Sequence, residues 1–128
     1  MIYIIDSYAW VEYFLGSKKG EILKKLFLDS QNRFLTVECC LAEIKGWTLK
    51  NNQNFDEILK IIRANSTIMK IEEKDWISAA EHRFTQRKTQ SDFGLIDAVL
   101  LTKQQALQCL IISRDKHFRG LKNVVFMG

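Results

Sequence analysis

The stretch Ile2–Gly16, IYIIDSYAWVEYFLG, combines a short apolar run, an acidic residue and a helical pattern. Its first four residues are continuously apolar, as expected of a strand that is buried on both faces of a parallel sheet. Asp6 directly follows this run, and the residues from Ser7 to Leu15 have a helical pattern that Gly16 ends. The stretch therefore predicts a strand that leads directly into a helix, with a carboxylate at the carboxyl end of the strand.

The alternation of short apolar runs and helical periods continues along the rest of the chain. Further strands are predicted at 34–37, 67–71, 110–113 and 123–126. Further helices are predicted at 18–29, 39–49, 55–63, 72–87 and 93–106. Strands separated by helices predict an α/β fold with a central parallel sheet and helices on both of its faces.

Two local details follow from the same patterns. On the helix 72–87, the spacing of the apolar residues predicts that one face points inward, and this face carries Trp76, Ala79, Ala80 and Phe84. Ser91 or Asp92 is predicted to cap the helix that begins at Phe93.

The composition is that of one soluble globular domain, which we expect to span residues 1–128. Of the 128 residues, 47% are apolar, which excludes a disordered chain. The three cysteines Cys39, Cys40 and Cys109 are few and partly adjacent, so we expect reduced thiols in the cytoplasm and no disulfide framework. No segment has the pattern of a signal peptide or a membrane span.

Four of the 15 acidic residues occupy positions that ordinary surface acids do not. Asp6 and Asp115 each follow a predicted buried strand, so both should lie at the carboxyl edge of the sheet. Glu43 and Asp97 share helix faces with apolar residues, and a buried carboxylate needs a partner. Taken singly, Asp6 and Asp115 could each cap the next element, and Glu43 and Asp97 could each form a buried ion pair. Taken together, the four would repel one another unless a divalent cation lay among them.

The chemistry of these side chains indicates which cation would bind. The predicted ligands are all oxygen atoms, which suit Mg²⁺ or Mn²⁺ better than Zn²⁺. The two histidines, His82 and His117, are interpreted as surface or local hydrogen-bonding residues and not as ligands. One or two such ions can activate water and stabilise an in-line displacement at phosphorus.

The net charge gives this site a context. The chain carries 19 basic and 15 acidic residues, for a net charge of +4, and the 11 acids outside the candidate site leave +8 on the rest of the molecule. An acidic metal pocket in a basic surface suits a phosphodiester backbone. Basic residues cluster at Arg83, Arg87 and Lys88 and again at Arg114, Lys116, Arg119 and Lys122. From the second cluster, Arg114, Lys116 and Arg119 are candidate substrate-binding residues.

Four segments together resemble the PIN-domain family, and in particular the VapC toxins of VapBC toxin–antitoxin pairs. They are MIYIIDSYAWVEYF, TVECCLAEIKG, FGLIDAVLLT and LIISRDKHFRGLKNVVFM, and they occur in the order of the family's motifs. The resemblance implies a three-layer α/β/α fold with a parallel sheet of about five strands, a homodimer, and a ribonuclease that depends on Mg²⁺ or Mn²⁺ and is neutralised by an antitoxin protein.

The resemblance also assigns roles to single residues. Asp6, Glu43, Asp97 and Asp115 match the family's metal-binding and catalytic acids, and these are the four acids that the burial argument selects. Ser7 and Ser113 match hydroxyl positions that support those acids. Two further acids lie five residues before a site acid and therefore on a different helix face. They are Glu38, interpreted as a helix-start residue, and Asp92, a helix-start residue kept as a peripheral contributor to the site.

Several other functions remain open at this stage. A PIN-fold nuclease of RNA processing would need no antitoxin, and a binding module would use the same fold without catalysis. A phosphorelay receiver or a related phosphatase is disfavoured, because Ser7 and Tyr8 follow Asp6 where those classes need further acids. The aromatic residues of the first two helices are interpreted as core, with a partner groove as the alternative.

Overall fold

The centre of the molecule is a sheet of five parallel strands. The computed structural model describes all residues 1–128, and the strands lie in the order β3-β2-β1-β4-β5. β1 is paired with β2 on one side and with β4 on the other, so Ile4 lies between Leu35 and Ile111. The strands are β1 Ile2–Ile5, β2 Arg33–Val37, β3 Thr67–Met69, β4 Leu110–Ser113 and β5 Val124–Phe126.

Six helices connect the strands and cover both faces of the sheet. They are α1 Ser7–Leu15, α2 Gly20–Phe27, α3 Glu38–Lys50, α4 Phe55–Asn65, α5 Glu73–Gln86 and α6 Leu95–Leu107, and a short 3₁₀ turn spans Lys116–Phe118. None of the helices has the length and apolar character that crossing a membrane requires.

Two hydrophobic cores lie on opposite faces of the sheet because successive strand residues point in opposite directions. Tyr3 and Ile5 of β1 pack in the core that α1, α2, α3 and α4 cover, where Trp10 is fully buried. Ile4 packs in the core that α5 and α6 cover, together with Phe93 and Ala98. The predicted three-layer α/β/α arrangement of the PIN type is therefore confirmed.

The sheet changes its direction of growth between β1 and β4. The chain first adds β2 and then β3 on one side of β1, and after α5 and α6 it returns to add β4 and β5 on the other side. The connections on the two sides diverge and leave a crevice at the carboxyl ends of β1 and β4, which is where parallel sheets bind ligands.

Two of the local predictions are wrong. The last long helix begins at Leu95 and not at Phe93, and its N-cap is Gly94, which has no side chain that could cap it, so neither Ser91 nor Asp92 caps α6. The segment before α6 instead buries the Phe93 ring completely, which fixes the chain there by packing. The other helix and strand bounds differ from the prediction by a few residues or not at all.

The inward face of α5 also differs from the prediction. Ala79 is buried, but Trp76 is 40% and Phe84 is 71% exposed, and Ala80 is exposed as well. The cause is a buried ion pair, in which Lys103 Nζ of α6 lies 2.7 Å from Asp75 Oδ2 of α5. This pair turns the face of Asp75 and Ala79 toward α6, and the apolar stripe beside it is left outside.

Candidate functional site

The four acids selected from the sequence lie at the carboxyl edge of the sheet in two adjacent groups. Asp6 follows β1 and Asp115 follows β4, while Glu43 and Asp97 come from α3 and α6. One group contains Asp6 and Glu43, and the other contains Asp97 and Asp115. The crevice between β1 and β4 therefore brings together side chains from four separate parts of the chain.

Two serine hydroxyl groups hold the first group in place. Ser113 Oγ donates to Asp6 Oδ2 at 2.6 Å and accepts a hydrogen bond from the backbone N–H of Asp115 at 2.9 Å. Ser7 Oγ donates to Glu43 Oε1 at 2.5 Å, and its backbone N–H donates to Asp6 Oδ1 at 2.8 Å. Ser7 and Ser113 thus support the acids through direct hydrogen bonds.

Burial determines the protonation of Asp6. Its side chain is only 4% exposed, and this burial, with the nearby charges of Asp97 and Glu43, raises its pKa to about 7, although the hydrogen bond from Ser113 opposes the rise. A buried carboxyl group with such a pKa is partly charged at neutral pH and lacks a cationic partner.

The second group contains a histidine that sequence analysis did not select as a ligand. His117 Nδ1 lies 3.0 Å from Asp97 Oδ2 and 3.1 Å from Asp115 Oδ1. Burial and the charge of Asp115 raise the pKa of Asp97 to about 6. Burial lowers the pKa of His117, but its contacts with Asp92, Asp115 and Asp97 outweigh this effect and raise that pKa above its ordinary value.

The position of His117 partly agrees with its predicted role. Its backbone N–H bonds locally to Asp115, but its ring bonds to Asp97, 20 positions away, and its side chain is only 14% exposed and is not at the surface. Asp115 Oδ1 accepts a hydrogen bond from the backbone N–H of His117 at 2.9 Å, which forms the 3₁₀ turn and directs the ring back toward α6. The only signal in the sequence is the Asp-x-His spacing, which is typical of such a side-chain-capped turn.

Asp92 lies at the outer side of this histidine. The side chain of Asp92 is 62% exposed, and its Oδ1 atom lies 3.1 Å from His117 Nε2. The two atoms are not aligned for a hydrogen bond, and Nε2 is buried without any other partner. Contact with His117 lowers the pKa of Asp92.

The predicted helix-start role is wrong for Asp92, whereas Glu38 does begin α3 and accepts a hydrogen bond from the backbone N–H of Ile71.

A cysteine completes the first group. Cys40 lies within 4.8 Å of the ligand atoms of Asp6 and Glu43, so its sulfur is a neighbour of the acids. A hydrogen bond with Cys39, burial and the charge of Asp6 hold the pKa of the Cys40 thiol well above its usual range. Cys40 is therefore a neutral thiol at physiological pH, and the three cysteines of the chain are all free.

These donors fit a divalent cation of the Mg²⁺ and Mn²⁺ class. Four carboxyl groups converge on one crevice, two of them have raised pKa values, and no lysine or arginine forms an ion pair with any of the four. A divalent cation would neutralise the acids, and carboxylate oxygen atoms are the ligands that such ions prefer.

The basic residues selected from the sequence lie around the site, and each of them makes different contacts. The Arg114 guanidinium pairs with Glu12 at 2.9 Å and lies 4.9 Å from the centre of the Tyr8 ring. Lys116 is exposed, with its Nζ atom 3.6 Å from Asp92 Oδ2. Arg119 lies over the Phe126 ring at 5.0 Å.

One cavity of about 240 Å³ lies beside Asp115 and Arg114. Tyr8, Lys19, Arg114 and Asp115 line it. Lys19 is not among the residues selected from the sequence, because its position at the start of α2 is not near the acids along the chain. The cavity therefore presents an exposed aromatic ring and two cations beside one of the site acids.

Comparisons with known proteins support the fold. No family model and no curated protein matches the chain. A toxin–antitoxin complex from Klebsiella pneumoniae matches at 20% identity with a TM-score of 0.68, over 98% of both chains. VapBC2 from Rickettsia felis, bound to a DNA fragment from its promoter, matches at 17% identity with a TM-score of 0.73, over 98% of this chain and 97% of the other.

A third structure carries a statement about its own activity. VapC20 from Mycobacterium tuberculosis, described as a toxin that cleaves the sarcin–ricin loop, matches at 16% identity with a TM-score of 0.67, over 97% of both chains. This protein therefore shares the fold of solved VapBC and VapC structures over nearly its whole length. The VapBC2 and VapC20 structures carry the name of the family that the four sequence segments resemble.

Proposed function

We propose that this chain is a metal-dependent endoribonuclease and the toxin of a toxin–antitoxin pair. The observation that carries the proposal is the convergence of Asp6, Glu43, Asp97 and Asp115 at the carboxyl edge of the sheet, where no lysine or arginine forms an ion pair with any of them. The shared fold adds support, because one of the similar structures is described as an RNA-loop-cleaving toxin. In this proposal the four acids are both the metal ligands and the catalytic residues.

In this proposal the acids bind the metal ions and the serines orient the acids. Asp97 and Asp115 on one side, and Asp6 and Glu43 on the other, would hold one or two Mg²⁺ or Mn²⁺ ions. When bound, these ions supply an activated water and neutralise the charge that develops on the phosphate. Ser7 and Ser113 keep the carboxylates oriented through the hydrogen bonds described above.

The cavity beside Asp115 is the proposed entry for RNA. Tyr8 can stack on a base, and Arg114 and Lys19 can contact the phosphate groups on either side of it. Lys116 and Arg119 extend the basic surface beyond the cavity.

Lys19→Ala is expected to raise KM and to make binding less salt-dependent while kcat changes little, because Lys19 does not touch the acids. A fall in kcat at unchanged KM would contradict this role.

The nuclease proposal is tested by cleavage of single-stranded and structured RNA with Mg²⁺ or Mn²⁺. Asp97→Asn and Asp6→Asn are each expected to lower the rate at least a hundredfold, since each removes a charge that the ions need. Asp56→Asn changes an exposed acid of α4 and serves as the matched control. Full activity in both site variants would refute the proposal, and the absence of any divalent-ion binding would favour a binding module instead.

The proposed partner is an antitoxin protein. Removing residues of an antitoxin-binding surface should abolish inhibition and leave RNA cleavage intact. The aromatic residues of α1 and α2 are mainly core, since Trp10 is buried and packs against Phe14 and Phe27. A short neighbouring reading frame with a DNA-binding segment and a disordered tail would support the toxin, whereas its absence would favour an RNA-processing nuclease.

A homodimer is proposed on the exposed apolar face of α5. This face carries Trp76, Ile77 and Phe84, with Ile77 61% exposed, and large exposed apolar faces usually mark interaction surfaces. Phe84→Glu should convert a dimer into a monomer in sedimentation experiments, and a monomeric native chain would contradict the proposal.

We further propose that residues 1–128 act as one nuclease domain in the reducing cytoplasm, where the three free thiols are stable.

A further inference from the structure

His117 lies between two of the proposed metal ligands. Its Nδ1 atom is at 3.0 Å from Asp97 Oδ2 and at 3.1 Å from Asp115 Oδ1, so it is close to both acids at once. The ring of Phe93, which is fully buried, packs against the imidazole with the ring centres 5.6 Å apart. This packing and the backbone hydrogen bond to Asp115 hold the ring in place.

These distances match the spacing of ligands around a metal ion. In an octahedral site with bonds of about 2.1 Å, neighbouring ligand atoms lie about 3.0 Å apart. The three atoms also lie within 4.8 Å of one another. Without metal, a proton on Nδ1 can satisfy the two carboxylates, and a metal ion would take the place of that proton.

The other nitrogen of the ring supports the same interpretation. Histidines that bind metal usually donate their second N–H group to a carboxylate, which fixes the ring and its tautomer. Nε2 of His117 is buried and lacks a hydrogen bond, and Asp92 Oδ1 lies 3.1 Å away on an exposed side chain. A small rotation of Asp92 would complete a chain of contacts from Asp92 through His117 to the metal.

We propose that His117 Nδ1 is a third ligand of the metal held by Asp97 and Asp115, and that this nitrogen makes the site prefer Mn²⁺ over Mg²⁺. The inference rests on the proposed metal-dependent function and specifies its ion. Mg²⁺ binds almost entirely through oxygen atoms, whereas transition-metal ions accept imidazole nitrogen readily. Asp92 acts in this site as a positioning residue for His117.

The experiment uses the full chain loaded with Mn²⁺ and pulsed electron paramagnetic resonance, which detects nitrogen bonded to Mn²⁺. Nitrogen coupling is expected in the native protein and in His82→Gln, which changes the only other histidine. His117→Gln is expected to lose the coupling and to bind Mn²⁺ at least tenfold more weakly, with Mg²⁺ affinity nearly unchanged. Asp92→Asn should weaken Mn²⁺ binding by about tenfold and keep the coupling.

The outcomes separate this inference from the proposed function. Mn²⁺ bound without nitrogen coupling in the native protein overturns the inference and leaves the nuclease proposal intact, and this result does not depend on the folding of any variant. Coupling that survives in His117→Gln also overturns it. Nitrogen coupling in a protein that cleaves no RNA would support the inference and refute the nuclease. A native protein that binds Mg²⁺ but no Mn²⁺ overturns the inference alone, and a native protein that binds neither ion refutes both.

Discussion

Replacing Asp6 with asparagine is expected to stabilise the metal-free protein at pH 8. Burial raises the pKa of Asp6 from its ordinary value of 3.8 to about 7, so the folded protein holds this proton more tightly than the unfolded chain does. The free energy of unfolding therefore falls as the pH rises from about 4 to about 7, because over this range the folded state binds more protons than the unfolded state. Asparagine is neutral at every pH, so the variant does not lose this part of the free energy of unfolding as the pH rises.

The size of the effect follows from the pKa difference. A difference of about three pKa units, at 1.36 kcal/mol per unit, corresponds to about 4 kcal/mol at pH 8. For a chain of this length, such a change raises the unfolding temperature by roughly 10 °C or more. At pH 4, where Asp6 is protonated in the folded state, the variant and the native protein should have nearly equal stability.

The assay is urea unfolding at pH 4, 6 and 8, with a chelator present to keep metal ions away. Asp56→Asn is the control, because this exposed carboxylate on α4 should change the free energy of unfolding by no more than about 0.5 kcal/mol. A difference between Asp6→Asn and the native protein that does not depend on pH would refute the reasoning, as would a variant that is less stable at pH 8. A stable variant also ensures that lost cleavage activity reflects chemistry and not unfolding.

Three further predictions concern the packing that supports the site. Lys103→Met is expected to lower the free energy of unfolding by about 3–5 kcal/mol in urea titrations, because it leaves Asp75 buried without its partner; a loss below about 1 kcal/mol would show that the pair is screened by water. Gly20→Ala is expected to destabilise the packing of α1 on α2, since its new Cβ would overlap the backbone oxygen of Glu12, and an unchanged unfolding temperature would contradict this. Gly46→Ala meets no atom within 4 Å in the middle of α3, so it should raise stability by about 0.5–1 kcal/mol, and a decrease in the unfolding temperature would count against that expectation.

The sequence predicts the parts of this fold that depend on local patterns. The strand Ile2–Ile5 and the helix Ser7–Leu15 have the predicted bounds. The apolar run of the strand stops at Asp6, and Gly16 ends the helix. Gly16 adopts a φ of 64°, which is the left-handed conformation that glycine provides at a helix end. The meeting of Asp6 and Asp115 at one edge follows from the parallel sheet, since the carboxyl ends of the neighbouring strands β1 and β4 lie together.

Features that depend on distant contacts could not be predicted. The approach of His117 to Asp97 requires a 3₁₀ turn that folds the chain back over 20 residues, and no periodic pattern encodes it. The orientation of α5 is decided by the ion pair of Asp75 with Lys103, so a helix face chosen from apolar spacing alone was wrong. Likewise, Lys19 reaches the cavity beside Asp115 only because α2 packs close to the sheet edge.

The hydrogen bond from Ser113 to Asp6 has a consequence for the timing of synthesis. It joins residues that are 107 positions apart, on the first and fourth strands to leave the ribosome. A nascent chain that has not yet released β4 lacks the partner of Asp6, and of the second group of donors it contains only Asp97. The candidate site is therefore assembled only after β4 and the 3₁₀ turn that follows it have been synthesised, and a fragment that ends before Ser113 lacks both Asp115 and His117.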